Sequence, residues 1–89
     1  MFEAVEFIEL RERPDTPVQE RALGVFQEEA AALEVARQAR NAFDASGRDD
    51  YAWWVVRQPG ARLARWIADN RSGKEYVLDL TSGQLVEVR

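Results

Sequence analysis

The sequence contains neither cysteine nor histidine among its 89 residues. Without cysteine there can be no disulfide, no thiolate nucleophile and no cysteine-based zinc site. Without histidine the chain lacks the side chain that most often acts as a general base near neutral pH and as a metal ligand. We therefore predict that the protein is not an enzyme and that it holds no metal or other cofactor.

Long apolar runs are also missing from the sequence. No segment approaches the roughly 20 apolar residues that a membrane-spanning helix requires. The first ten residues carry Glu3, Glu6 and Glu9 where a signal peptide would have basic residues and then an apolar core. These features predict a cytoplasmic protein that does not enter a membrane.

Hydrophobic residues make up 46% of the chain and include three Trp, which is typical of a folded domain and not of a disordered segment. The length suits one domain, so we predict that residues 1–89 form a single α+β domain. The formal net charge of −4 comes from acidic residues concentrated in the first half of the chain.

The N-terminal third predicts two strands joined by a turn. Residues Phe2 to Glu12 are rich in apolar side chains, and Val18 to Phe26 form a second such segment. The sequence Arg13 to Pro17 between them contains two prolines, which fix the backbone and remove hydrogen-bond donors. We expect the two strands to pair as a hairpin.

Helical spacing begins after Phe26. Gln27, Glu28 and Glu29 place negative charge in the predicted first turn, where it complements the helix dipole. Ser46 and Gly47 are predicted to end a helix of about 17 residues, with Gly47 as its C-cap. The apolar residues that recur on one face of this helix are Ala32, Val35, Ala36, Ala39, Ala42 and Phe43.

The C-terminal half predicts a meander of four strands separated by three glycine-containing turns. The predicted strands are Tyr51–Arg57, Arg62–Asn70, Glu75–Leu80 and Leu85–Val88. The expected fold is therefore a long amphipathic helix on a mostly antiparallel sheet, in the order β-β-α-β-β-β-β. The segment from Glu75 to Val86 resembles the closing hairpin of PepSY-type domains, a resemblance that covers this hairpin alone and implies no activity.

Both faces of the predicted meander are apolar. If each turn is a two-residue loop, Trp53 lies opposite Trp66 on one face, and Trp54 lies with Ile67 and Tyr76 on the other. An antiparallel sheet with one wet face would instead alternate apolar and polar residues. The helix can cover one face, so the other needs the N-terminal hairpin, a second copy of the chain or a different protein.

The leading functional hypothesis is a non-enzymatic interaction or assembly module that self-associates, as a homodimer or with another protein, through a sheet face or edge. Burial of ~600 Å² of apolar surface would contribute on the order of 15 kcal/mol before association costs are subtracted. No small-molecule ligand is predicted. The residues predicted to form the interaction surface are Trp54, Leu63, Ile67, Tyr76 and Leu78.

The alternative hypothesis is a small domain that binds single-stranded nucleic acid. Trp and Tyr side chains would stack on bases, while Arg57, Arg62 and Arg65 would contact phosphates. Nucleic acid ranks below protein as a partner because the overall charge is acidic, whereas nucleic-acid-binding domains usually carry an extended basic surface. An enzyme that relies on paired carboxylates alone is the third hypothesis.

Overall fold

Residues 1–88, which a computed structural model describes, form six β-strands and one α-helix in the predicted order β-β-α-β-β-β-β. The strands belong to one antiparallel sheet, which confirms the predicted α+β fold class. Their bounds are β1 Phe2–Glu9, β2 Gln19–Phe26, α1 Glu29–Ala45, β3 Tyr51–Arg57, β4 Ala64–Asp69, β5 Glu75–Asp79 and β6 Gln84–Glu87.

The sheet has the strand order β2-β1-β3-β4-β5-β6. The predicted N-terminal hairpin is confirmed, because β1 pairs antiparallel with β2 and residues 10–18 connect them. The other edge of β1 pairs with β3, so the hairpin widens the sheet within its own plane. The hairpin therefore covers neither face, and the expectation that it could do so is wrong.

The helix α1 begins at Glu29, two residues later than predicted, because Glu28 before it is still extended. Its stripe of small residues brings it close to the sheet, where it packs on β1, β2 and β3. Ala32, Ala36 and Phe43 are its buried residues. The helix ends as predicted at Ser46–Gly47, but its C-cap is Ser46 and not Gly47. Gly47 follows the cap with the positive φ of +70° that favours glycine after a helix.

The hydrophobic core lies between α1 and the sheet. Two tryptophans, Trp54 and Trp66, are its largest side chains, and both are almost completely buried. Phe43 from the helix meets Trp54 edge to face, with ring centroids 5.5 Å apart. The alanines Ala4, Ala52 and Ala68 on neighbouring strands leave the room that these large rings need.

The predicted register between β3 and β4 is wrong. Val56, and not Trp53, lies opposite Trp66, and Trp54 lies opposite Ala68. The connection between the two strands spans residues 58–63, so it is not the two-residue loop on which the prediction depended. As a result, the side chains of β3 lie on the opposite faces of the sheet from those predicted. Trp54 is under the helix, and Trp53 is on the other face.

A β-bulge adds to the difference in register. The partners of β3 pass directly from Trp66 to Ala64, so Arg65 is an extra residue in β4. An extra residue interrupts the alternation of side chains between the two faces. Neither the long connection nor the bulge could be predicted from the alternation of apolar and polar residues along the sequence.

Candidate functional site

The face of the sheet opposite α1, which we call the open face, carries an apolar row that crosses five strands. Directly paired residues share a face, and the pairing aligns Ala22, Val5, Val55, Ile67 and Tyr76 from β2 to β5. The larger apolar residues of the open face are Val5, Phe7, Val25, Tyr51, Trp53, Val55, Ile67, Tyr76, Leu78 and Leu85. No helix or strand within residues 1–88 packs on this face, although neighbouring side chains leave Val5 only 2% and Val55 only 7% exposed.

Aromatic side chains organise one end of the open face. Phe7 and Trp53 stack almost in parallel, with centroids 5.3 Å apart and an interplanar angle of 9°. Tyr51 meets Trp53 at 5.2 Å, and the Arg71 guanidinium lies 5.2 Å from the centre of the Tyr51 ring. Partial burial raises the pKa of the Tyr51 hydroxyl. These contacts join the three rings into one aromatic layer, in which the Tyr51 ring is tilted by 41° from the Trp53 ring.

Beside the aromatic layer is an open depression of about 520 Å³. Trp53 and Ile67 form part of its lining, together with Tyr76 and Leu85 from the C-terminal hairpin. Its polar rim includes Asp69. The depression is wide and mostly apolar.

Three of the five predicted interaction residues lie together on the open face. Ile67 is directly opposite Tyr76, and Leu78 follows Tyr76 on the same side of β5. Leu63 is not in a strand, because β4 begins one residue later at Ala64, and its side chain is 56% exposed in the β3–β4 connection. The open face therefore contains Ile67, Tyr76 and Leu78, with Leu63 outside the strands.

Trp54 is placed differently from the prediction. Its side chain is 0% exposed beneath α1, and its indole Nε1 donates a hydrogen bond of 2.9 Å to the Glu6 carboxylate. The shifted register between β3 and β4 causes this reversal. Trp54 is a core residue, and Trp53 takes its place on the open face.

The three arginines proposed for phosphate contacts are not brought together. Arg57 pairs with Glu3 at 2.6 Å and with Glu20 at 3.3 Å, and the hydrogen bond to Glu3 raises the pKa of Arg57. Arg65 pairs with Glu29 of the helix at 3.3 Å, on the opposite side of the sheet. Arg62 lies in the β3–β4 connection. Two of the three charges are therefore already matched by carboxylates of the chain.

The carboxylates of the meander are engaged in turns and ion pairs. Burial works to raise the pKa of Asp69, but hydrogen bonds from the Ser72 and Arg71 backbone N–H groups outweigh it and lower that pKa. A hydrogen bond from the Thr81 backbone N–H lowers the pKa of Asp79. Asp69 and Asp79 therefore each accept hydrogen bonds from the turn that follows their strand.

A second cleft, of about 340 Å³, lies on the helix side of the sheet and contains Glu6, a residue that sequence reasoning missed. Glu6 is only 5% exposed. One of its oxygens accepts the Trp54 hydrogen bond, and the other pairs with Arg21 at 3.0 Å. Both carboxylate oxygens have partners, which indicates a structural role. Glutamates at every third position of β1 gave no signal that one of them would be buried.

Comparison of the chain with protein-family models, with curated proteins and with solved structures finds no match. Within residues 1–88, α1 is too short and too polar to span a membrane.

Proposed function

We propose that the protein is a non-enzymatic assembly module that self-associates by packing its open face against the open face of a second copy. The observation that carries the proposal is the group of half-buried apolar side chains on the face of the sheet opposite α1, namely Phe7, Trp53, Ile67, Tyr76 and Leu78. Contiguous apolar surfaces of this kind are rare on monomers and mark contact sites.

A second copy fits the open face because the face is apolar at its centre and carries charges of both signs. The ion pairs of Arg57 with Glu3 and Glu20 cross the β1–β2 end of the face, on either side of Val5 and Ala22, and Asp69 lies beside Trp53. Two such sheets can pack face to face about 10 Å apart, as the two layers of a β-sandwich do. A stable interface of this type buries about 800 Å² on each partner.

The Ile67→Lys substitution tests the proposal. Lys at the centre of the apolar row would have to bury its charge in the interface, while in the monomer it can extend into water. We expect the wild-type chain to self-associate at micromolar concentration in multi-angle light scattering, and the Ile67→Lys variant to have a clearly lower molar mass than the wild type because it loses the open-face contact. The matched control is Val18→Lys, a change at an exposed residue just before β2.

The control variant should keep the molar mass of the wild type, and circular dichroism should show that both variants are folded. A wild-type chain that stays monomeric throughout the concentration range would contradict the proposal. So would an Ile67→Lys variant whose molar mass equals that of the wild type.

The observed ion pairs do not favour the nucleic-acid alternative. Arg57 and Arg65 are each bound to carboxylates and lie on opposite sides of the sheet. A nucleic-acid surface instead needs several unpaired cations along one face. The engaged carboxylates and the lack of histidine and cysteine likewise support a non-enzymatic role.

A further inference from the structure

The C-terminal hairpin of β5 and β6 extends beyond the part of the sheet that α1 covers. Helix contacts concentrate on β1, β2 and β3, and the side chains of β6 are exposed along its whole length. The exposed fractions are 71% for Leu80, 41% for Leu85, 44% for Val86 and 40% for Val88. Contact with a partner strand would bury part of this exposed apolar surface.

The outer edge of β6 also presents unpaired main-chain groups. The Val88 N–H donates to the Glu75 carbonyl at 2.8 Å, which fixes Glu75 and Val88 as a hydrogen-bonded pair. Such pairs alternate along an antiparallel ladder, so the N–H and C=O groups of Val86 point toward β5. Those of Leu85 and Glu87 therefore point away from the sheet, and no strand within residues 1–88 receives them.

The opposite edge of the sheet is protected in the ways that natural edge strands usually are. In β2, Leu23 is an extra residue, because the partners of β1 pass from Gly24 directly to Ala22. Charged residues, Glu20 and Arg21, precede it on the same strand. Bulges and charges discourage pairing with another strand. The strand β6 is shorter and carries one charge, Glu87, but it has neither a bulge nor a proline.

We propose that β6 pairs antiparallel with β6 of a second copy, with Leu85 opposite the copy's Glu87 and Val86 on the two-fold axis. This register satisfies the four outward groups of each strand and places Val86 against its own counterpart. A register with Glu87 opposite Glu87 would bring like charges together. A register with Leu85 opposite Leu85 would pair only residues 84–86, because Gly83 belongs to the turn.

This edge contact is independent of the proposed open-face contact. The main-chain groups of β6 lie in the plane of the sheet, whereas the open-face side chains point out of that plane. Either contact can therefore exist without the other, and each requires its own test.

Single cysteine variants test the edge register, because the chain has no cysteine of its own. In the proposed pair the two Val86 Cα atoms are about 4.5 Å apart, which is within the range of a disulfide. The two Val88 Cα atoms are more than about 13 Å apart. We expect Val86→Cys to form a disulfide-linked dimer at least about tenfold faster than the equally exposed Val88→Cys under mild oxidation.

Hydrogen exchange tests the same contact without cysteine. The Leu85 and Glu87 amides can exchange only while the β6 edge is unpaired. At a concentration where about nine-tenths of the protein is paired, only about one-tenth has a free edge, so exchange of these amides should slow about tenfold. Leu85→Pro removes one outward donor and should abolish this slowing at Glu87, whereas Leu85→Ala keeps the donor and should retain it. The inward Val86 amide reports whether the hairpin is intact in both variants.

The measurements are repeated in the Ile67→Lys background to separate the two contacts. Slowing and cross-linking that persist in this background support the edge contact, even if the open-face proposal fails. Slowing that disappears there assigns the protection to the open face and overturns the edge contact. Equal rates of cross-linking for Val86→Cys and Val88→Cys, or exchange that does not depend on concentration, would also overturn it.

Discussion

Glu6 is a carboxylate inside the core whose position depends on two neighbours. It lies between Trp54 on β3 and Arg21 on β2, which are its direct cross-strand partners. The indole N–H of Trp54 is buried and has Glu6 as its acceptor at 2.9 Å. A buried donor that loses its acceptor costs more than a typical hydrogen bond contributes.

Substitutions of Glu6 by side chains of similar size test this role. Glu6→Gln keeps an oxygen that can accept the Trp54 hydrogen bond, whereas Glu6→Met removes it. We expect Glu6→Met to be less stable than Glu6→Gln by about 1–3 kcal/mol in urea unfolding, because it leaves the indole N–H unpaired. Both variants also lose the ion pair with Arg21, but Arg21 is exposed, so this loss costs little stability in either variant. Equal stability of the two variants would show that this hydrogen bond does not contribute to the free energy of unfolding.

Between elements, two ion pairs join the helix to β5 of the meander. Glu75 at the start of β5 accepts hydrogen bonds from Arg37 at 2.9 Å and from Arg40 at 3.3 Å, and both arginines are on α1. The hydrogen bond from Arg37 lowers the pKa of the Glu75 carboxyl, against the opposing effect of partial burial. This contact connects the helix to the C-terminal hairpin that it otherwise leaves bare.

The lowered pKa predicts how the contact responds to acid. A carboxyl whose pKa is lower in the folded state stabilises the fold above its unfolded pKa, and this contribution is lost as the pH falls through its folded pKa. We expect Glu75→Gln to reduce the free energy of unfolding at pH 7 and to have a smaller effect at pH ~3, below the ordinary range for Glu. Urea unfolding at a series of pH values measures this difference.

An Arg37→Gln background provides the control for this prediction. Without its strongest partner, Glu75→Gln should cause a smaller loss at pH 7 than it does in the wild-type chain. An effect of Glu75→Gln that is the same at every pH would contradict the assignment.

The bend in β2 depends on Gly24. Its φ of +150° is rare for other residues, and a Cβ there would lie 2.8 Å from the Phe26 ring. We expect Gly24→Ala to lower the free energy of unfolding by about 1–3 kcal/mol, because the backbone is strained and the ring must move. Gly47→Ala is the control, since Gly47 also has positive φ but has open space around it. Greater loss for Gly47→Ala in thermal unfolding would refute this explanation.

At the scale of the whole molecule, the sequence was sufficient to predict which segments form strands and helix. The order of elements, the N-terminal hairpin and the end of α1 at Ser46–Gly47 follow from local turn residues and helical spacing. These features depend on contacts between residues that are close in sequence. Such contacts can be recognised from the local pattern of residue types.

The pairing of distant segments could not be predicted in the same way. The position of β1 between β2 and β3 depends on contacts across more than forty residues, such as that between Glu6 and Trp54. The extra residue Arg65 and the long β3–β4 connection then reversed the faces of β3. For these reasons the sequence identified Ile67, Tyr76 and Leu78 as neighbours but assigned Trp54 to the wrong side of the sheet.

The irregular backbone of β2 has a consequence for the size of any assembly built through β6. Once two β6 strands have joined, the outermost strand at each end of the extended sheet is β2, distorted at Leu23 and Gly24. Neither end offers a third chain a straight template. Growth along the sheet would therefore stop at two chains, and the irregular backbone of β2 would prevent the sheet from extending into a fibre.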